Sequence, residues 1–163
     1  MIRMSAAEAL AFLERHATID PAFPAFVRAA RLHGAEVCVV SSGLGPIIAP
    51  ALERAGVDVT VYANDVAFEP GGWQMTFLDD SANGHDKAAR VRAAHAAGAR
   101  TVYVGDGISD YEAALAADLR FAKKGRALER FARERGIVCA SFASFGEIER
   151  ALFEPYEVAC EPT

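Results

Sequence analysis

Short β-branched runs alternating with helix-length segments predict an α/β fold, a three-layer α/β/α sandwich on a mainly parallel sheet. Two of those runs, EVCVVS (36–41) and TVYVGD (101–106), are apolar without alternation, as strands covered on both faces are. The helical segments stop at glycines, Gly34, Gly56 and Gly98, each just ahead of another apolar run. With 163 residues, 52% of them apolar and 24% charged, the chain has the size and composition of one domain with its own core.

The elements follow in order. Ser5-x-x-Glu8 is a capping box that opens a first helix carrying Ala9, Leu10 and Leu13. Asp20 is expected to cap a second, with Pro21 at its first position and Phe23, Phe26, Val27 and Ala30 on its apolar face. The strand 36–41 gives way to a glycine-rich turn, SSGLGP, and then to a helix over 47–55. VDVTVYAN (57–64) reads as the next strand, and DVAFEPGGWQMTFL (65–78) as a hairpin turning at Glu69-Pro70-Gly71-Gly72. A helix over 86–97 leads into TVYVGD, and the theme repeats: helix 109–117, strand 119–122, helix 126–135, strand 137–140, helix 145–153. Residues 1–153 thus read as a single domain, with 154–163 as a loose tail.

Composition narrows the function. A net charge of −5 and a pI near 5.4 argue against a nucleic-acid surface, and Lys123, Lys124 and Arg126 read as a solvated helix entrance. No apolar stretch approaches the roughly 18 to 20 residues that cross a bilayer, and MIRMSAAEAL lacks a signal-peptide core, so a cytoplasmic location is expected. Cys38, Cys139 and Cys160 are too scattered for a disulfide framework or a zinc site and read as buried small hydrophobes.

In parallel α/β sheets, ligands gather beyond the carboxyl ends of the strands, so the polar residues there carry the chemistry. Asp106 ends one strand and Asp110 opens the next helix, with Gly105 and Gly107 supplying backbone freedom. A turn former and a helix cap explain one aspartate, whereas a pair of hard oxygen ligands for Mg²⁺ explains both. Ser41 ends the other strand, and Ser42 and Gly43 follow it; hydroxyl and backbone N–H groups at a helix N-terminus suit a phosphate oxygen. Lys87 sits at a helix start, where the dipole disfavours a cation but a transferring phosphoryl group would welcome one. The histidines, His16, His33, His85 and His95, share no ligand spacing, although His85 lies two residues from Lys87.

In this order VVSSG, the lysine of HDKAA and VGDGISD resemble motifs II, III and IV of the haloacid dehalogenase (HAD) superfamily of phosphatases. The IDPAF segment and the YANDVAFEPGGW hairpin are similar to the phosphoserine phosphatase branch and its methylthio-pentenyl phosphate phosphatase relatives. The resemblance spans roughly residues 5 to 153. It implies a Rossmann-like HAD fold and Mg²⁺-dependent hydrolysis of a small phosphorylated metabolite. By that resemblance Ser41, with Ser42 and Gly43, would bind the phosphoryl oxygens. Lys87 would stabilise the developing charge, Asp106 would serve catalysis as a direct Mg²⁺ ligand, and Asp110 would hold the metal directly or through water.

The chain also departs from that family. There, a nucleophilic aspartate in an Asp-x-Asp-x-Thr or Val motif ends the first, central strand, and a second aspartate acts as acid and base. Here the aspartates stand at 20, 58, 65, 79, 80, 86, 106, 110 and 118, and none are two apart. Residues 1–19 resemble the last helices of the family's small cap, so the first strand and most of the cap are expected to be missing. Three explanations stand open: a fragment of a longer phosphatase, a degenerate relative that pairs the Ser41 and Asp106 strands directly or borrows a strand through homo-oligomerisation, or half of a split enzyme with a strand-donating partner. The competing function is a non-catalytic HAD-like binding or interaction protein.

Overall fold

A computed structural model describes residues 4–16, 18–69, 71–82 and 84–154. The expected tail beyond Glu154, with Cys160, and Pro70 of the hairpin turn lie outside the described residues.

Six strands and seven α-helices alternate among the described residues. Helix α1 (Ala6–His16) opens on the capping box, Ser5 N–H donating to Glu8 Oε2 at 2.7 Å and Glu8 N–H to Ser5 Oγ at 3.3 Å. Helix α2 (Phe23–Leu32) begins later than expected, because Asp20 caps a preceding turn instead. Its Oδ1 accepts Ala22 N–H at 2.9 Å and its Oδ2 accepts Phe145 N–H at 3.1 Å, tying this turn to the last helix.

Strand β1 (Cys38–Leu44) runs three residues further than EVCVVS suggests, taking in the serine turn, and α3 (Gly45–Arg54) starts at once with Pro46 in its first turn. Strand β2 (Thr60–Glu69) merges the expected strand with the first arm of the hairpin. It pairs parallel to β1, Val39 opposite Val61, and then antiparallel to β3 (Gly72–Thr76), Phe68 opposite Trp73. Helix α4 (Lys87–Ala96) is capped by Asp86, whose carboxylate accepts Ala89 N–H. After β4 (Val102–Gly105) a 3₁₀ turn (Ile108–Asp110) leads into α5 (Tyr111–Ala116), then β5 (Leu119–Lys123) and α6 (Ala127–Glu134). Strand β6 (Ala140–Phe142) sits three residues later than IVCA, since its register sets Ala140 opposite Phe121 and leaves Val138 90% exposed. Helix α7 (Phe145–Phe153) falls where expected.

The sheet is not continuous. Strands β1, β2 and β3 form one three-stranded sheet and β4, β5 and β6 another, parallel throughout, and among the described residues no ladder joins β1 to β4. Direct pairing of the Ser41 and Asp106 strands, one of the expectations above, is therefore not how this chain closes. Alternation along the strands sorts side chains into two layers. Tyr103 and Ala122 pack with Val91, Leu128 and Phe131 beneath α4, α5 and α6. Phe121 and Phe142 pack on the other face with Phe26, Leu52 and Ile148 of α2, α3 and α7. Val39, Val61 and Val104 all join this second cluster, so one apolar layer spans both sheets where hydrogen bonds do not.

Burial on both faces, expected for β1 and β4, is incomplete. Cys38 is exposed and Val102 is 43% exposed, while Val39, Val40 and Val104 are half-buried. These residues lie on the two strands that, among the described residues, lack a partner along one edge, which is the physical reason. Lys123 also differs from a solvated helix entrance: its Nζ donates to Ala143 O at 2.6 Å and lies 3.9 Å from Asp20.

Ile148, fully buried in the layer that spans both sheets, tests this packing. Ile148→Ala should lower unfolding free energy by about 2–5 kcal/mol, read as a shifted urea midpoint.

Candidate functional site

The strand β4 ends in a turn built around one carboxylate. Asp110, 4% exposed, accepts Asp106 N–H and Gly107 N–H at Oδ2, both at 2.8 Å. Its Oδ1 accepts Lys87 Nζ at 2.6 Å and Tyr103 OH at 2.8 Å. Gly105 makes this possible through close approach and not through an unusual φ: a Cβ there would stand 2.8 Å from Asp110 Cγ. Burial pushes the Asp110 carboxyl up, but the Lys87 hydrogen bond, the Gly107 and Asp106 N–H groups and the Lys87 charge outweigh it and hold the pKa below the usual value. Burial, then the charge of Asp110, pushes the Tyr103 phenol upward, so it stays a donor.

Lys87 is equally enclosed, at 8% exposed, and its ammonium also donates to Ser109 Oγ at 3.0 Å. Asp106 presents the opposite case. Its backbone N–H is engaged by Asp110, but its carboxylate is exposed and makes no hydrogen bond or ion pair among the described residues.

On β1, Ser41 Oγ accepts Gly43 N–H at 3.0 Å, which folds the backbone into a tight turn and leaves the hydroxyl proton to donate outward. Ladder pairing with β2 slips between Val40 and Leu44, and two side chains take over the freed carbonyls. His85 Nδ1 meets Ser41 O at 3.0 Å and Asn64 Nδ2 donates to Ser42 O at 3.0 Å. Asn64, 1% exposed, also accepts Leu78 N–H, so it anchors both the serine turn and the start of the 77–86 loop that leads from β3 to Lys87.

Ser41, Lys87, Asp106 and Asp110 thus belong to one connected set at the carboxyl ends of β1 and β4, through His85 on one side and Asp110 on the other. Asn64, His85 and Tyr103 are the residues that sequence reading underrates. Asn64 and Tyr103 signal themselves only by a polar tip inside or beside an apolar run, and His85 only by lying two residues from Lys87. One groove, about 580 Å³ along Ala49, Glu53, Val57 and Val61, contains none of the site residues. A smaller one, about 140 Å³, runs past Leu78, Asp79, His85, Asp86 and Arg90.

For Mg²⁺ the chain offers Asp106 as an open carboxylate, which fits a cation that keeps most of its waters and needs only one or two protein oxygens. Both Asp110 oxygens already have protein donors, so direct ligation would displace one of them. No cluster of three His, Cys, Asp or Glu side chains suited to a metal occurs among the described residues.

Comparison with known proteins places this α/β chain in a class. The model for haloacid dehalogenase-like hydrolases matches residues 1–115, and the chain belongs to that family. It is 32% identical over 161 residues to Pdp3-interacting factor 1 of Schizosaccharomyces pombe, which covers 93% of this chain and 70% of that protein. It is 32% identical over 157 residues to the polyol phosphate phosphatase of Saccharomyces cerevisiae, covering 86% of this chain and 65% of that one. A phosphoserine phosphatase solved as a phospho-aspartyl intermediate analogue shares the fold, with a TM-score of 0.68 at 19% identity over 92% of this chain and 71% of that one.

Two substitutions test the buried pair. Lys87→Met leaves the Asp110 carboxylate enclosed without its cation and should cost about 3–5 kcal/mol at pH 7. Because the folded Asp110 pKa lies below its unfolded value, its contribution is present above pH 3.8 and fades as pH falls through the folded pKa. The gap between parent and Lys87→Met in urea unfolding should therefore narrow under acid. Gly105→Ala should displace Asp110 and shift the Lys87 amide resonance, while Gly107→Ala, with Asp110 Oδ2 at 3.7 Å from the added Cβ, should leave the Lys87 amide in place.

Proposed function

We propose that this chain handles the phosphoryl group in a Mg²⁺-dependent hydrolysis of small phosphomonoesters in the cytoplasm. The observation that carries the reading is the linkage of Ser41, Lys87, Asp106 and Asp110 at two neighbouring strand ends. The Ser41 hydroxyl, with Ser42 and Gly43 at the entrance to α3, receives phosphoryl oxygens where a helix N-terminus favours an anion. Lys87 is held in place by Asp110 and presents fixed positive charge to the transferring group. Asp106 holds the cation, and Asp110 shapes the loop around it. When bound, Mg²⁺ supplies charge neutralisation and Lewis acidity. Likeness to a polyol phosphate phosphatase supports phosphorylated polyols as the first substrates to try.

The nucleophile is the part these residues do not provide in the family's pattern, since no two aspartates are two apart. The edges of β1 and β4, unpaired among the described residues, favour a strand that reaches the site from outside residues 1–163, from a longer chain or a partner, with its carboxylate at the shared strand end; a homo-oligomer could pair the edges but would bring no such aspartate pair. The same edges support a second reading, an interaction protein that keeps the cleft without the chemistry.

Both readings meet one assay. The purified 163-residue chain with Mg²⁺ should hydrolyse p-nitrophenyl phosphate very slowly. A peptide with an apolar strand ending in Asp-x-Asp-x-Thr should raise that rate, and Asp106→Asn should cancel the gain. Robust Mg²⁺-dependent turnover by the chain alone, abolished by Asp106→Asn, would mean another nucleophile. Binding of the peptide without turnover would favour the interaction protein.

A further inference from the structure

Ser41 lies on β1, and Lys87, at the start of α4, bonds to Asp110 in the turn after β4; among the described residues β1 and β4 share no ladder, so the spacing of Ser41 and Lys87 needs another support. The apolar layer that spans the sheets lies on the α2, α3 and α7 face, whereas Lys87 enters from α4 on the other. Close to the site, the segment 85–87 makes the link. Its first side chain, His85, bonds to Ser41 O of β1, and its third, Lys87, bonds to Asp110 in the turn after β4. Between them Asp86 caps α4, and its N–H is held by Asp79 Oδ2 at 2.7 Å, which fixes the backbone from which both side chains leave.

From this geometry we infer that His85 is a positioning residue: it sets the Ser41 turn at a fixed distance from Lys87 and so determines how tightly the site holds a phosphoryl group. The inference rests on the phosphoryl-site reading above. A carbonyl oxygen only accepts, so Nδ1 carries the hydrogen in the bond to Ser41 O, and that bond selects the ring orientation. The other nitrogen, Nε2, is enclosed and has no partner among the described residues, and the same holds for Ser42 Oγ on the β1 strand end. An enclosed nitrogen does not touch a ligand in the cleft, so His85 acts through Ser41 and not on the substrate. A buried group held by one hydrogen bond, with its second nitrogen unsatisfied, is costly to keep for packing alone. Its position opposite the Ser41 carbonyl gives that cost a purpose.

Three variants test this. Asparagine places an amide N–H near the His85 Nδ1 position, glutamine reaches instead toward Nε2, and alanine removes both. Inorganic phosphate is titrated in the presence of Mg²⁺ and followed through the Gly43 and Lys87 amide resonances, with urea midpoints measured alongside. His85→Ala and His85→Gln should weaken phosphate binding by about tenfold, while His85→Asn stays near the parent. A purely structural histidine would instead give His85→Asn and His85→Gln equal losses, in stability and not in affinity. Parent-like affinity in His85→Ala, or no difference between Asn and Gln, overturns the inference. If His85→Ala does not fold, the Asn and Gln pair decides. If the parent itself does not bind phosphate, the site reading fails separately. The positioning role is then judged without ligand: unmoved Gly43 and Lys87 amides across the variants would overturn it.

Discussion

The buried pair between Lys87 and Asp110 is the interaction on which the rest of the site depends. Enclosing two charges costs several kcal/mol each before their attraction is counted, and an ion pair so buried holds only if the remaining lone pairs and protons also find partners. Here they do. Asp110 takes two backbone N–H groups, a phenol and an ammonium, and Lys87 adds Ser109. Much of the local architecture follows from that need. Gly105 is glycine because a Cβ would occupy the carboxylate's place, and Tyr103 interrupts an apolar strand because Asp110 needs its hydroxyl. Helix α4 is docked against the turn after β4 by its first residue.

The same pair explains how two separate sheets behave as one body at their chemically active end. On one face, the valines of β1, β2 and β4 meet in one apolar cluster with α2, α3 and α7. At the carboxyl ends, the short segment before and into α4 links β1 through His85 and the β4 turn through Lys87. Between these supports the strand edges lack ladder partners among the described residues, and the half-exposed valines of β1 and β4 record it. A parallel sheet usually hides such strands on both faces and both edges. These two are hidden on their faces in part and on one edge only.

Much of this was legible in the sequence. Non-alternating apolar runs, glycine stops and the Ser5–Glu8 box were sufficient to place the helices and the layered α/β fold, because each is a local signal with a local cause. Element ends were less legible. The serine turn joined β1, and β2 absorbed half of the hairpin, because pairing with a neighbour extends a strand past where composition alone would end it. IVCA slid to 140–142 for the same reason, its register being set by β5. At the site, Ser41, Lys87, Asp106 and Asp110 stood out by residue type, but their division of labour did not. Two aspartates four residues apart look alike in sequence. Only the fold shows that one is enclosed and fully engaged while the other faces outward. Asn64 and His85 were underrated because their partners are backbone carbonyls, which carry no sequence signature.

That division has an electrostatic consequence. Since Lys87 is matched by Asp110 at 2.6 Å, the charge left over where β1 and β4 end is the exposed Asp106 carboxylate. A phosphoryl group arriving beside the Ser41 turn would bring its anionic oxygens toward a like charge, a repulsion on the order of 1 kcal/mol at contact in water and larger where water is excluded. One helix N-terminus and a serine hydroxyl offset only part of this, since a helix end is equivalent to roughly half a charge. On the proposed reading, a cation held by Asp106 would offset that repulsion. The lysine, being committed to Asp110, serves less to attract the anion than to hold a fixed donor in place. Phosphate affinity should accordingly depend on the divalent cation more steeply than on ionic strength.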